Sequence, residues 1–394
     1  MVAYRIPFSG RAHNYTQKEM DVVQEAMQTT QPLTQGEYLN QFEAKFVDFQ
    51  GGKGMAFAVN SATSALELTA QLCQFQSGDE FVIPAHTFTA SCYPFIKQGG
   101  KPVWADIDLK TRVVTAESIE RCLSSKTKAI IVVHLYGYMV DMGAIIELAN
   151  SRGIILIEDA AQSIGAKYNN MIAGSNGDFG IFSFHSHKNI STLGEGGMLW
   201  VKDKKYANII PMLRHNGHCQ FNFDRNEYWL PAMGNVDLVE LNGIPMIPNN
   251  FCLGEVECAL GSQLLKRVDK INAEKRRRAL KFIDELDDFP DLEFHKVDSQ
   301  QHNYHLLVAR FRIGKRDKFI RLMAEEYSIQ CVVQYYPLNR YDLYCKLGFA
   351  AANIPNTDLF FDNMVSFPFQ HTLDETELSY MLDSTRRSLK SIGK

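Results

Sequence analysis

Gly153-Ile154-Ile155-Leu156-Ile157-Glu158-Asp159-Ala160-Ala161-Gln162-Ser163 is an apolar, β-branched run that ends in two carboxylates. Some runs of this kind, such as Ile130-Ile131-Val132-Val133, are too apolar to alternate, as expected of strands covered on both faces of a parallel sheet. The charged end of the 153–163 run falls where open α/β sheets bind ligands, beyond the carboxyl ends of their strands. A carboxylate there can bind a metal, cap a helix or hold a positively charged ring nitrogen.

Working outward, similar short runs recur at Met55–Val59, Glu80–Pro84, Pro102–Ile107, Ala129–His134, Gly180–Phe184 and Met198–Val201. Helical spacing separates them. Leu66, Ala70 and Cys73 share a face in Thr63–Gln76, as Ile145, Leu148 and Ala149 do in Asp141–Arg152. Strands alternating with helices predict an α/β fold with a large, mostly parallel sheet. The pattern lapses from His215 to Asn250, a stretch rich in Asn, Gly, Pro and aromatics. A long helix is expected from about Glu255 to Asp288. Its Lys275-Arg276-Arg277-Arg278 run, flanked by Glu274, Asp284 and Glu285, reads as a solvated face rather than a nucleic-acid patch. Beyond it the chain reads as a smaller α+β unit, with strands near Leu306–Phe311 and Gln330–Val333 and helices at Arg316–Glu325 and Asp374–Ser388. The expected division is a large domain over residues 1–254 and a C-terminal domain over 255–394, led by the long helix.

Composition narrows the class. The chain has 394 residues, 45% hydrophobic and 22% charged, which suits a globular protein and excludes a disordered, collagenous or coiled-coil chain. Lys plus Arg is 41 against 45 Asp plus Glu, a formal charge of −4. That balance exerts no general pull on nucleic acid or an anionic membrane. No apolar run approaches the ~20 residues that span a bilayer, and Met1–Gly10 does not read as a secretory signal. The eight cysteines stand singly, without a CxxC pair, so the expectation is a reduced, cytoplasmic protein.

Four local signals point to one phosphate-bearing cofactor. Asn60-Ser61-Ala62-Thr63-Ser64-Ala65-Leu66 joins a strand to a helix start, where small residues let a phosphate reach backbone N–H groups. An ordinary Ser/Thr cap would leave the same trace. Pro84-Ala85-His86-Thr87-Phe88-Thr89-Ala90 places an aromatic just past a strand, fit for stacking on a flat ring or for a core. The 153–163 run supplies the carboxylate. Phe182-Ser183-Phe184-His185-Ser186-His187-Lys188-Asn189, followed by Gly194-Glu195-Gly196-Gly197, supplies a candidate Schiff-base lysine. Two histidines two residues apart, with no third or fourth ligand to be read nearby, make a poor zinc set. Together an amine, a carboxylate, a phosphate cradle and a ring-stacking aromatic are what pyridoxal 5′-phosphate requires.

These segments resemble the DegT/StrS family of pyridoxal-phosphate sugar aminotransferases, which have the aspartate-aminotransferase (type I) fold. The likeness covers nearly the whole chain. It implies that Lys188 carries the cofactor and moves the proton, that Asp159 faces the pyridine nitrogen and Gln162 the ring's 3-oxygen. It further implies that Ser183, Ala62, Thr63 and Ser64 serve the phosphate, with Phe88 over the ring. Arg214-His215-Asn216-Gly217 and His302-Asn303-Tyr304-His305 match further family elements. In Pro248-Asn249-Asn250-Phe251-Cys252-Leu253, Asn250 would reach the phosphate of a neighbouring subunit, which implies a homodimer with shared active sites.

The implied reaction moves an amino group from an amino acid, L-glutamate or L-glutamine, to a ketosugar. By resemblance that sugar is nucleotide-linked and belongs to amino-sugar or surface-polysaccharide biosynthesis. The residues themselves leave the sugar, the aminated carbon and its carrier open. Three positions depart from the family pattern: Ala62 replaces Gly, Cys252 replaces Arg, and one extra residue separates Lys188 from the Gly194–Gly197 cluster. The stretch Gln220–Ile247 is also longer than the family's. Two alternatives stand beside the transaminase. A sugar dehydratase of the same family would carry His where Lys188 stands, and a non-catalytic regulatory protein would not need the whole constellation.

Overall fold

The computed structural model describes residues 4–393 apart from 9, 12, 222–230, 296, 298–299 and 313. Part of the expected irregular stretch, residues 222–230, therefore lies outside the described residues.

Seven strands form the central sheet in the order Met55–Val59, Gly197–Val201, Phe179–Ser183, Ile155–Asp159, Thr127–Val133, Glu80–Pro84 and Lys101–Ala105. Gly197–Val201 runs antiparallel to both its neighbours, and every other adjacent pair is parallel. The parallel strands are buried almost throughout, which accounts for the non-alternating run Ile130–Val133. Register sets Val133 beside Asp159 and Asp159 beside Ile181, so two strands end level while Phe179–Ser183 runs on past them to Ser183. Helices cover both faces. On one, Leu39, Phe42 and Phe46 of the helix Glu37–Phe49 pack with Phe182, Phe184 and Trp200. Burying each of those side chains stabilises the fold by roughly 1.5–3 kcal/mol.

The long helix is two. Glu255–Leu265 and Val268–Asp284 are separated at Arg267, whose φ of −125° and ψ of 9° leave the helical region. The break lets the Arg267 guanidinium meet the buried Glu19 carboxylate at 3.2 Å and the Asn14 carbonyl at 3.0 Å. Cys258, Leu260, Leu264 and Ile271 share the cluster of Phe42 and Phe182, so core packing crosses residue 254.

The C-terminal sheet also differs from expectation. Its strands are Leu292–Phe294, Leu307–Phe311 and Met364–Phe367, all antiparallel. Gln330–Val333 contributes only a bridge, Val332 to Ser366. Helices Arg316–Glu325 and Glu375–Ile392 bury Phe319, Met323, Met381 and Leu389 against this sheet, and Ile6 joins the same cluster.

The solvated-face reading of the basic run holds for Arg277, which is exposed and paired with Glu274 and Glu375. It fails for Lys275, which is buried. No helix among the described residues is long and apolar enough to cross a membrane.

Candidate active site

The two carboxylates that end the strand Ile155–Asp159 point to opposite faces, because successive strand side chains alternate. Glu158 turns into the core. His134 Nε2 lies 2.9 Å from its Oε2, and the N–H groups of Gly174, Asn176 and Gly177 donate to it. Burial by itself would raise this carboxyl group, but His134 and those N–H groups hold it below the usual range. It is a structural charge.

Asp159 turns the other way, into a cavity of about 320 Å³. Ser91 Oγ donates to its Oδ2 at 2.6 Å, and the Ala161 N–H donates to its Oδ1 at 3.1 Å. Gln162 lines the same wall. Its Oε1 accepts from the Tyr136 N–H at 2.7 Å, and its Nε2 donates to the Tyr335 hydroxyl at 3.1 Å. The Tyr335 ring lies nearly parallel to Tyr136, 6.2 Å between centroids.

Lys188 enters from the loop that follows the strand Phe179–Ser183. The loop is pinned at its neck, where the Phe184 N–H donates to the Gly196 carbonyl at 2.8 Å and the Ser186 N–H to Gly194 at 2.9 Å. Burial lowers the Lys188 ammonium from 10.5 to about 8, while the Asp159 charge pulls the other way. The side chain can therefore present a neutral amine near neutral pH. Ser183 lines the cavity beside it, its Oγ accepting from the His185 N–H at 3.4 Å.

The third wall is the start of the helix Ala62–Cys73. Ser61 is its N-cap, accepting the Ser64 N–H at 3.1 Å. The first two N–H groups, those of Ala62 and Thr63, have no partner within the helix, and both residues line the cavity. Gly197 permits this placement. A Cβ there would stand 2.4 Å from the Ser61 carbonyl carbon and 2.5 Å from the Ala62 nitrogen, so only glycine lets the antiparallel strand pass behind the helix start. Phe88 stands at the mouth, 52% exposed, edge-on to Tyr335 at 6.0 Å.

Seven of the nine residues singled out from sequence thus surround one cavity: Lys188, Asp159, Gln162, Ser183, Ala62, Thr63 and Phe88. Two do not. The Ser64 hydroxyl is spent in the cap, donating to Asn60 Oδ1 at 2.5 Å, and its side chain lies behind the wall. Asn250 is exposed, bridged to His215, and off its own chain's cavity. Sequence reasoning missed Ser91, one residue past the segment it singled out, and also Tyr335, His305 and Lys275.

A model of the DegT/DnrJ/EryC1/StrS aminotransferase family matches residues 13–386. The chain belongs to that family. The spore coat polysaccharide biosynthesis protein SpsC of Bacillus subtilis is 30% identical, across 98% of this chain and 97% of that protein. GDP-perosamine synthase of Caulobacter vibrioides is 36% identical, across 66% of this chain and 64% of that one. Among solved structures, the PMP form of the putative sugar aminotransferase Spr1654 of Streptococcus pneumoniae superposes with a TM-score of 0.83. It is 25% identical, across 98% of this chain and all of that one. The DegT/StrS chain has the type I fold of the pyridoxal-phosphate transferases, as the resemblance implies.

Proposed function

We propose that this DegT/StrS chain is a pyridoxal-phosphate aminotransferase that passes an amino group from an amino-acid donor to a nucleotide-linked ketosugar. The observation that carries it is the convergence of Lys188, Asp159 and the open N–H groups of Ala62 and Thr63 on one cavity. The donor set fits the cofactor: an amine of lowered basicity, a carboxylate held by two donors, an anion-binding helix start and a neighbouring aromatic ring.

When bound, the cofactor supplies the electron sink that lets an α-hydrogen leave as a proton. Lys188 Nζ would accept that proton and return it to the carbon on the other side of the transferred nitrogen, acting as base and then acid. Asp159 would hold the ring nitrogen. Ala62 and Thr63 would donate to the phosphate, with Ser183 beside them, and Gln162 Nε2 would serve the ring's 3-oxygen. Phe88 would cover the ring, while Phe8, Leu66 and Phe369 would help keep water out. GDP-perosamine synthase among the relatives supports a nucleotide-linked acceptor, and SpsC supports a place in polysaccharide assembly.

The same proposal includes a homodimer with shared sites. Asn250 is exposed and does not line its own chain's cavity, and the segment before it exposes Met233, Val236, Leu238, Ile244 and Ile247. The unpaired cysteines support a cytoplasmic location.

The test is to load the protein with pyridoxal phosphate, reduce it with borohydride and map the modified peptide. Attachment at Lys188, with L-glutamate converting unreduced enzyme to its amino form and releasing 2-oxoglutarate, is the expected outcome. Failure of either step overturns the reading.

A further inference from the structure

Lys275 lies on the helix Val268–Asp284, 2% exposed, and lines the same cavity as Lys188. Its Nζ donates to Asn189 Oδ1 at 3.1 Å and to the His305 carbonyl at 3.0 Å. Both partners are neutral, and an ammonium has three protons to give. Among the described residues no carboxylate pairs with it. Burial lowers its ammonium from 10.5 to about 7, and an anion seated beside it would restore the charge.

Its surroundings say what is missing. Among the described residues no arginine lines the cavity, and the other basic groups there are His185, His187, Lys188 and His305. His185 Nε2 faces Glu195 at 3.6 Å, and burial holds the His305 ring well below its usual basicity. His305 Nδ1 is buried without a partner. Asn189, which holds the Lys275 ammonium, is the residue after Lys188, and the His305 ring feels the charges of both lysines. Lys275 and His305 therefore border the same space as Lys188. An amino-acid donor carries its α-carboxylate on the very carbon that bears the transferred nitrogen. A ketosugar has no anion there, and a carrier phosphate lies several bonds away.

We propose that Lys275, steadied by Asn189 and His305, binds the α-carboxylate of the amino-acid donor. The inference rests on the aminotransferase reading above. It assigns donor recognition to a residue outside the segments that make the cofactor site, and it leaves the same ammonium to meet neutral hydroxyls when the sugar enters.

The experiment compares L-glutamate, L-glutamine and isoglutamine, the α-amide, in the first half-reaction of the loaded enzyme. The cofactor's visible absorbance is recorded before any donor is added. Loss of the carboxylate contact should make wild type prefer L-glutamate to isoglutamine by at least about tenfold. Lys275→Gln, which keeps hydrogen-bonding atoms and drops the charge, should weaken L-glutamate and L-glutamine alike by about tenfold or more. It should leave isoglutamine within a few-fold, and calorimetry should show the same loss for unreactive 2-methyl-L-glutamate. Lys275→Arg should keep the preference. A parallel fall for all three donors means that Lys275 only holds the Asn189 loop, and the proposal fails. It also fails if wild type accepts the α-amide equally, or if the loss tracks the γ-carboxylate. If both variants misfold, equal use of the α-amide by wild type still overturns the proposal. A wild-type protein that never shows the cofactor band removes the parent reading instead.

Discussion

Ser91 Oγ donates to Asp159 Oδ2 at 2.6 Å, tying the loop after Glu80–Pro84 to the end of Ile155–Asp159. The bond crosses 68 residues and fixes one carboxylate oxygen, while the Ala161 N–H fixes the other at 3.1 Å. An anion held from two sides cannot swing toward Lys188 and hold it as an ammonium.

Ser91→Ala should therefore cost catalysis more than stability. Hydrogen bonds to charged groups contribute about 1.5–3 kcal/mol, so kcat/KM should fall about tenfold or more. The folded protein should keep its melting temperature within a few degrees, since only a hydroxyl is removed. Unchanged half-reaction kinetics would show that the Ala161 N–H suffices to orient Asp159.

Adjacent carboxylates should respond in opposite ways. Glu158→Gln leaves His134 and several N–H groups facing an amide in a sealed site, and breaking such a buried pair costs roughly 3–5 kcal/mol. Denaturant unfolding should show that loss. Asp159→Asn keeps the shape, so it should fold normally and transaminate at least about a hundredfold more slowly if its charge serves a ring nitrogen. Equal stabilities for the two variants, or near-normal turnover in Asp159→Asn, would contradict the assignment of roles.

How much of this was legible follows from where each contact partner lies in the chain. Asp159, Lys188 and the Ser61–Thr63 corner each sit at the end of an apolar run, so local pattern alone marks them as residues at the sheet edge. Glu158 could have been separated from Asp159 by strand alternation, a rule the residues themselves carry. Ser91 and Lys275 act across 68 and 86 residues, and no periodicity reveals that. Lys275 was hidden further by its company, because Arg277 and Arg278 beside it do form ion pairs with Glu274. In the irregular stretch one signal was available. Asn242-Gly243, both with positive φ, joins Val239–Leu241 to Ile244–Met246 as a tight hairpin, the turn that Asn-Gly favours.

Lys188 gives a pH prediction whose sign can be worked out. Burial moves its ammonium from 10.5 down to about 8. Only the neutral amine attacks an aldehyde, so the rate of cofactor attachment to the empty protein should rise with pH and level off above about 8. For an ordinary lysine the rise would continue toward 10.5. Between those values the unfolded chain binds more protons at this group than the folded one, so its contribution to stability increases with pH. Stopped-flow absorbance across the range checks the first statement. A rate still climbing steeply at pH 10 would mean that the amine is not desolvated.

Asn250 supplies the test of assembly. The helix that follows begins at Glu255 with Gly254 as its N-cap and no side-chain cap, so Asn250 is not held as a local capping residue. It stands exposed beside His215, away from its own cavity. If it serves a neighbour's phosphate, each site needs two chains. Lys188→Ala and Asn250→Asp should then each be inactive alone, the first for want of the amine. The second places a carboxylate against a phosphate, and Coulomb repulsion weakens cofactor binding. In a mixed dimer one site collects both defects, while the other has an intact Lys188 from one chain and an intact Asn250 from its partner. Turnover should therefore return after subunit exchange, toward half the wild-type value per mixed dimer. Were Asn250 to act only within its own chain, no site in any mixture would be whole. Exchange confirmed by mass spectrometry without recovered turnover would remove the shared site and leave the chemistry of Lys188 untouched.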